Sequence, residues 1–95
     1  QFNYPDSNIE KDILYNESKI NDEIAEKLVS YAKKLRNLKE LDLLETVSTR
    51  LLVNSGKLIN SGLDPITACN IGIIQPLTDE KDIQNTLNDI LKFFF

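Results

Sequence analysis

Histidine, tryptophan and methionine are missing from the 95 residues, cysteine occurs once, and glycine and proline three times each. Without histidine, and with a single cysteine, the usual zinc constellations cannot be assembled. The Ser-His-Asp and Cys-His routes to a nucleophile are lost with them. One cysteine also excludes an internal disulfide, which fits a reducing cytoplasm, the expected location. Positive charge is short as well: 11 Lys and Arg against 15 Asp and Glu leave a net charge of −4. A domain that grips nucleic acid through its phosphates is expected to be basic, so that partner is not expected here. No apolar run approaches the roughly 18 residues that cross a bilayer. Polar Asn, Asp, Glu and Lys crowd positions 3 to 12, unlike a signal peptide. No Gly-rich phosphate loop of the form G-x-x-x-x-G-K-[ST] occurs. The chain opens on Gln1 rather than Met, as expected of a piece of a longer protein.

What remains is ordinary for one small globular domain: 41% apolar and 27% charged residues. Pro5 closes an extended opening, Phe2-Asn3-Tyr4. A first helix is expected from Asp6 or Ser7 to about Ser18, with Ser7 and Glu10 at capping-box spacing and Ile9, Ile13 and Leu14 as its apolar face. Asn21 is the expected N-cap of a second helix, with Asp22 and Glu23 in its first turn. Ile24, Leu28, Tyr31, Ala32, Leu35 and Leu38 follow at steps of three and four. Lys33, Lys34, Arg36 and Lys39 gather at its C-terminal end, and the lysines read as a solvated basic face.

Leu41-Asp42-Leu43-Leu44 reads as a connection or one short helical turn. A third helix is expected from Ser48 to Gly62, the latter suited to a left-handed C′ position. Asp64-Pro65 restarts the chain as N-cap and first helical residue, and this fourth helix is expected to end before Pro76. A fifth begins at Thr78, with Asp79, Glu80 and Asp82 in its first turn and Ile83, Leu87, Ile90, Leu91 and Phe94 as its face. No segment alternates with period two, so the expected fold is all-α, four or five short helices around a single core. Of Phe93, Phe94 and Phe95, three aromatics in a row, at least one must face away from that core.

Few residues suggest chemistry. Arg50 would lie in the first turn of the third helix, where a cation opposes the macrodipole by roughly 0.3–1 kcal/mol. Free backbone N–H groups at such a site favour an anion, and the planar guanidinium fork suits phosphate oxygens. Residue type and spacing leave open the simpler outcome, a pair with Glu45 or Asp42. Gly56, beside Ser55, and Gly72 offer small-residue patches for close helix packing or for a docked partner. Cys69 has no basic neighbour in sequence and reads as a core residue. Asp79, Glu80 and Asp82 read as a helix start rather than a metal site.

The run Leu44-Glu45-Thr46-Val47-Ser48-Thr49-Arg50-Leu51-Leu52-Val53 resembles the C-terminal region of the CbbQ/NirQ/NorQ-type ATPases, within the MoxR group of AAA+ proteins. The resemblance continues through Gly56-Lys57-Leu58-Ile59, Ser61-Gly62-Leu63-Asp64-Pro65, Ala68-Cys69 and Gln75-Pro76-Leu77-Thr78-Asp79-Glu80, and reaches back to Phe2-Asn3-Tyr4-Pro5. It implies that residues 1–5 end a linker from an α/β ATPase core and that residues 6–95 form the helical lid that closes over Mg-ATP. It also implies that Arg50 is the sensor 2 arginine reaching the γ-phosphate, with Ser48 and Thr49 at the helix N-terminus near that phosphate. The implied setting is a ring, generally hexameric. The ring acts with a von Willebrand factor A domain partner to activate a metal-dependent client enzyme in chaperone-like fashion. The chain departs from the family pattern in being rich in Lys, Asn and Ile, and its Phe93-Phe94-Phe95 end has no counterpart. Apart from the resemblance, a stand-alone helical interaction module using Gly56 is a competing reading. A helix-turn-helix built from the third and fourth helices is another.

Overall fold

The computed structural model describes residues 4–38, 41 and 43–95. Phe2, Asn3, Lys39 and Asp42, which enter the expectations above, lie outside the described residues. Among the described residues there is no strand. The helices are α1 (Ser7–Ser18), α2 (Asp22–Arg36), α3 (Thr49–Asn60), α4 (Pro65–Cys69), a π-helical turn (Asn70–Ile74), α5 (Gln75–Leu77) and α6 (Lys81–Phe94). None of them is long and apolar enough to cross a membrane.

Several helix ends form as local chemistry dictates. Asn21 Oδ1 accepts the Ile24 N–H at 2.8 Å, and Asp64 Oδ2 accepts the Thr67 N–H at 3.1 Å with Pro65 opening the turn. Gly62, at φ 118°, terminates α3 in a Schellman arrangement: its N–H donates to the Ile59 carbonyl at 3.0 Å and that of Leu63 to Leu58 at 3.1 Å.

Four boundaries or faces differ from expectation. Asp6, not Ser7, caps α1 through the Asn8 N–H at 3.2 Å, and the capping box is not formed because Glu10 points into the domain. The buried stripe of α1 is therefore Glu10, Leu14 and Ser18, while Ile9 faces outward. Helical structure also passes through Pro76 instead of ending before it. Proline lacks an N–H, and its ring needs room near the carbonyl one turn upstream. The π turn immediately before it widens the helix, with the Gln75 N–H reaching back five residues to the Asn70 carbonyl. Finally, α6 starts at Lys81. Thr78 is extended, and its hydroxyl accepts the Glu80 N–H at 3.1 Å, so it closes a turn before the helix rather than capping it.

The core joins Leu14, Leu28, Tyr31, Leu35, Leu51, Leu52, Ile73, Leu77, Leu87 and Leu91, drawn from every long helix. α3 sits between α1 and the π turn in very close packing. A Cβ added to Gly56 would lie 2.6 Å from Ser18 Oγ and 2.7 Å from Ser18 Cβ. One added to Gly72 would overlap Ser55 Oγ and come within 3.0 Å of the Ser55 backbone. Both glycines thus serve internal packing, and the Gly56 patch is not a surface open to a partner. The three terminal aromatics fan out. Phe94 meets Tyr31 edge-on with centroids 6.0 Å apart, Phe95 lies under Lys27 Nζ at 5.6 Å, and Phe93 is 88% exposed.

Candidate functional site

The segment from Leu43 to Ser48 crosses from α2 to α3 without helical structure and is tied to α5 by the Leu44 N–H donating to the Leu77 carbonyl at 2.6 Å. It delivers the chain to the N-terminus of α3 beside an open cleft of about 310 Å³ lined by Tyr4, Glu45, Thr46, Ser48, Thr49 and Arg50. All three residues singled out in the sequence therefore border one concavity.

Their side chains have different employment there. Arg50, the second residue of α3, is 69% exposed and meets Glu45 Oε1 through Nη2 at 3.4 Å. That is the simple pair the sequence left open, and at such exposure it holds the guanidinium weakly. Ser48 occupies the N-cap position with an extended backbone, yet its hydroxyl does not cap the helix. Its Oγ is buried and has no hydrogen-bond partner among the described residues. Thr49 turns inward, its hydroxyl donating to Glu10 Oε2 at 2.7 Å, so only its backbone faces the helix end.

Sequence reasoning missed the strongest polar element of the domain. Arg36, grouped in sequence with the lysines that close α2, has a side chain only 9% exposed and grips Glu10, itself 1% exposed. Nη1 meets Oε1 at 2.9 Å and Nη2 meets Oε2 at 2.7 Å, the fork-to-fork geometry of a strong charge-assisted pair. Arg36 Nε donates to the Val47 carbonyl at 2.9 Å, and the Tyr4 ring lies against the guanidinium 3.9 Å away. Lys33 and Lys34 do remain on the solvated face. One signal was available: Glu10 lies four residues before Leu14 and eight before Ser18, on the same helical face.

Cys69 is buried, and desolvation pushes its thiol up to about 12, the opposite of a reactive thiolate. Burial likewise raises the Tyr31 phenol, whose hydroxyl donates to the Leu87 carbonyl at 2.8 Å. Asp79, Glu80 and Asp82 gather where α6 begins, and among the described residues no cluster of three or more His, Cys, Asp or Glu is placed to hold a metal ion.

The family model for the CbbQ/NirQ/NorQ C-terminal domain matches residues 10–94, from the buried Glu10 to Phe94. The chain belongs to that family. Among its relatives, Protein CbbQ of Hydrogenophilus thermoluteolus is 39% identical over 94 residues, which is 99% of this chain and 35% of the relative. The denitrification regulatory protein NirQ of Pseudomonas aeruginosa is 38% identical over 91 residues, 96% of this chain and 35% of the relative. Protein NorQ of Paracoccus denitrificans is 35% identical over 95 residues, all of this chain and again 35% of the relative. The CbbQ/NirQ/NorQ C-terminal domain seen here thus spans about a third of the length of the curated relatives it matches.

Proposed function

We propose that this domain is the helical lid of a MoxR-group AAA+ ATPase, closing over Mg-ATP bound by a core of the same polypeptide, with Arg50 sensing the γ-phosphate. The observation that carries the reading is the contrast between the two arginines of the chain. Arg36 is consumed by buried partners, whereas Arg50 stands exposed at a helix start over an open cleft, against the macrodipole. A terminal phosphate removes that electrostatic conflict, because the first-turn amides and the guanidinium both favour an anion. Ser48 borders the same cleft, with its hydroxyl buried and not used to cap the helix. Glu45 is the group that phosphate displaces.

The residues fit the ligand's chemistry, and the ATP hydrolysis itself belongs to the core. Arg50 contributes a difference: a contact with the terminal phosphate that is lost when that phosphate leaves. A ligand biases two arrangements only by the difference in its affinity for them, so such a contact makes lid position follow nucleotide state. The proposed setting is a homo-oligomeric, hexameric ring in the cytoplasm. The ring works with a von Willebrand factor A domain partner to activate a metal-dependent client enzyme in chaperone-like fashion. Arg50→Ala in the full-length protein is expected to keep the lid folded and to uncouple hydrolysis from client activation. Normal hydrolysis together with normal activation in that variant would overturn the assignment.

A further inference from the structure

We infer that Arg36 is a positioning residue for Arg50: held on Glu10, it fixes the first turn of α3 from outside and so aims the sensing guanidinium. This rests on the nucleotide-facing reading of Arg50 given above. The starting point is that α3 does not set its own N-terminus, since Ser48 makes no side-chain cap. The two residues flanking Ser48 are restrained instead. Val47 gives its carbonyl to Arg36 Nε at 2.9 Å, and Thr49 gives its hydroxyl proton to Glu10 Oε2 at 2.7 Å. Those partners are themselves joined by the bidentate pair of Arg36 with Glu10, at 2.9 and 2.7 Å. One buried guanidinium thus clamps the backbone on one side of the cap residue directly and the side chain on the other through a single carboxylate. Arg50 is the next residue along.

The same guanidinium also touches the segment through which the chain enters the domain. Tyr4 lies over it with the ring centroid 3.9 Å from Cζ, and Tyr4 and Arg50 line the same cleft. Arg36 is therefore the junction at which the entering segment, α1, α2 and the start of α3 meet. A lysine in its place keeps the charge and loses the fork, so it cannot hold both the Val47 carbonyl and two carboxylate oxygens in one plane.

The test is a double-mutant cycle in the full-length protein, read as the ratio of ATP to ADP affinity. Arg50→Ala is expected to lower that ratio about tenfold, the scale of a charge-assisted contact. Arg36→Lys is expected to lower it several-fold in the wild-type background and to add nothing in the Arg50→Ala background, because it acts only through Arg50. Multiplying effects, or an unchanged ratio in Arg36→Lys, would overturn the positioning role. Should Arg36→Lys fail to fold, Thr49→Val tests the other arm of the clamp, with the hydroxyl-retaining Thr49→Ser expected to rescue it and a failure of that rescue counting against the clamp. An unchanged ratio in Arg50→Ala itself would sink the sensor reading separately. Amide exchange then decides the clamp alone: faster exchange in Arg36→Lys confined to the first turn of α3 supports it, and unaltered exchange there refutes it.

Discussion

Replacing Glu10 by glutamine changes one atom type and keeps the shape of the side chain, so its effect isolates charge from packing. The carboxylate accepts three hydrogen bonds, from Arg36 Nη1 at 2.9 Å, from Nη2 at 2.7 Å and from the Thr49 hydroxyl at 2.7 Å. In the variant one oxygen becomes an NH₂ facing other donors, and the Arg36 guanidinium keeps the Val47 carbonyl, the Tyr4 ring and one neutral amide oxygen in place of the carboxylate fork. Breaking a buried pair from one side costs about 3–5 kcal/mol. Arg36 retains 9% exposure, which lets water relieve part of the charge and favours the lower end, about 3 kcal/mol. At about 4–8 °C per kcal/mol for a domain of this size, the melting temperature should fall by roughly 12–24 °C. Urea unfolding followed by far-UV circular dichroism measures the free energy directly. Adding Arg36→Met to Glu10→Gln should recover about 1–2 kcal/mol, because no orphaned charge is left inside. A loss under about 1 kcal/mol for the single variant, the size of an exposed pair, would refute the reasoning, as would a double variant weaker than the single one.

Gly56→Ala gains about 1 kcal/mol of helix propensity but drives a methyl into Ser18, which costs about 1–3 kcal/mol, so a net loss is expected in urea unfolding. Gly72→Ala should lose more, because the Ser55 backbone cannot swing aside as a hydroxyl can. The native Cys69 thiol should resist alkylation at pH 8 and react once denaturant exposes it. Because its pKa is raised in the folded state, the unfolded chain sheds this proton first, from about the ordinary value of 9.0 upward, while the folded thiol holds it to about 12. Stability should therefore fall above pH 9 by about 1.4 kcal/mol per pH unit, and Cys69→Ala should remove that slope until Tyr31, also raised, adds its own above pH 10. Arg50→Ala should change the stability of the domain by less than about 1 kcal/mol, since its pair with Glu45 is exposed.

The helical periods of α2, α3 and α6 were legible from apolar spacing, and end chemistry held at Asn21 before α2, at Gly62 after α3 and at Asp64-Pro65 before α4. The failures at Glu10 and Arg36 share one cause, a tertiary partner overriding a local rule. Glu10 fits a capping box at the level of spacing, yet a guanidinium arriving from α2 draws it inward and rotates the face of α1 with it. Arg36 sits among cations at the end of α2, and only the meeting of α1, α2 and the Val47 segment makes it internal. Pro76 ends a regular helix, but not one that has already widened by a π turn, and no residue in that turn announces the widening. At the candidate site, the three residues singled out in sequence, Ser48, Thr49 and Arg50, line one cleft. The sequence did not reveal that the Thr49 hydroxyl is bound to Glu10 while the Ser48 hydroxyl has no partner among the described residues.

The two glycine contacts along α3 have a mechanical meaning. Gly56 rests against Ser18 on one flank and Ser55 against Gly72 on the other, with no spare atom on either side. A helix wedged in this way can neither slide nor roll without carrying its neighbours, since close-packed interiors are nearly incompressible. A tug on its first turn would therefore swing α1 and the π turn with it as one stiff body.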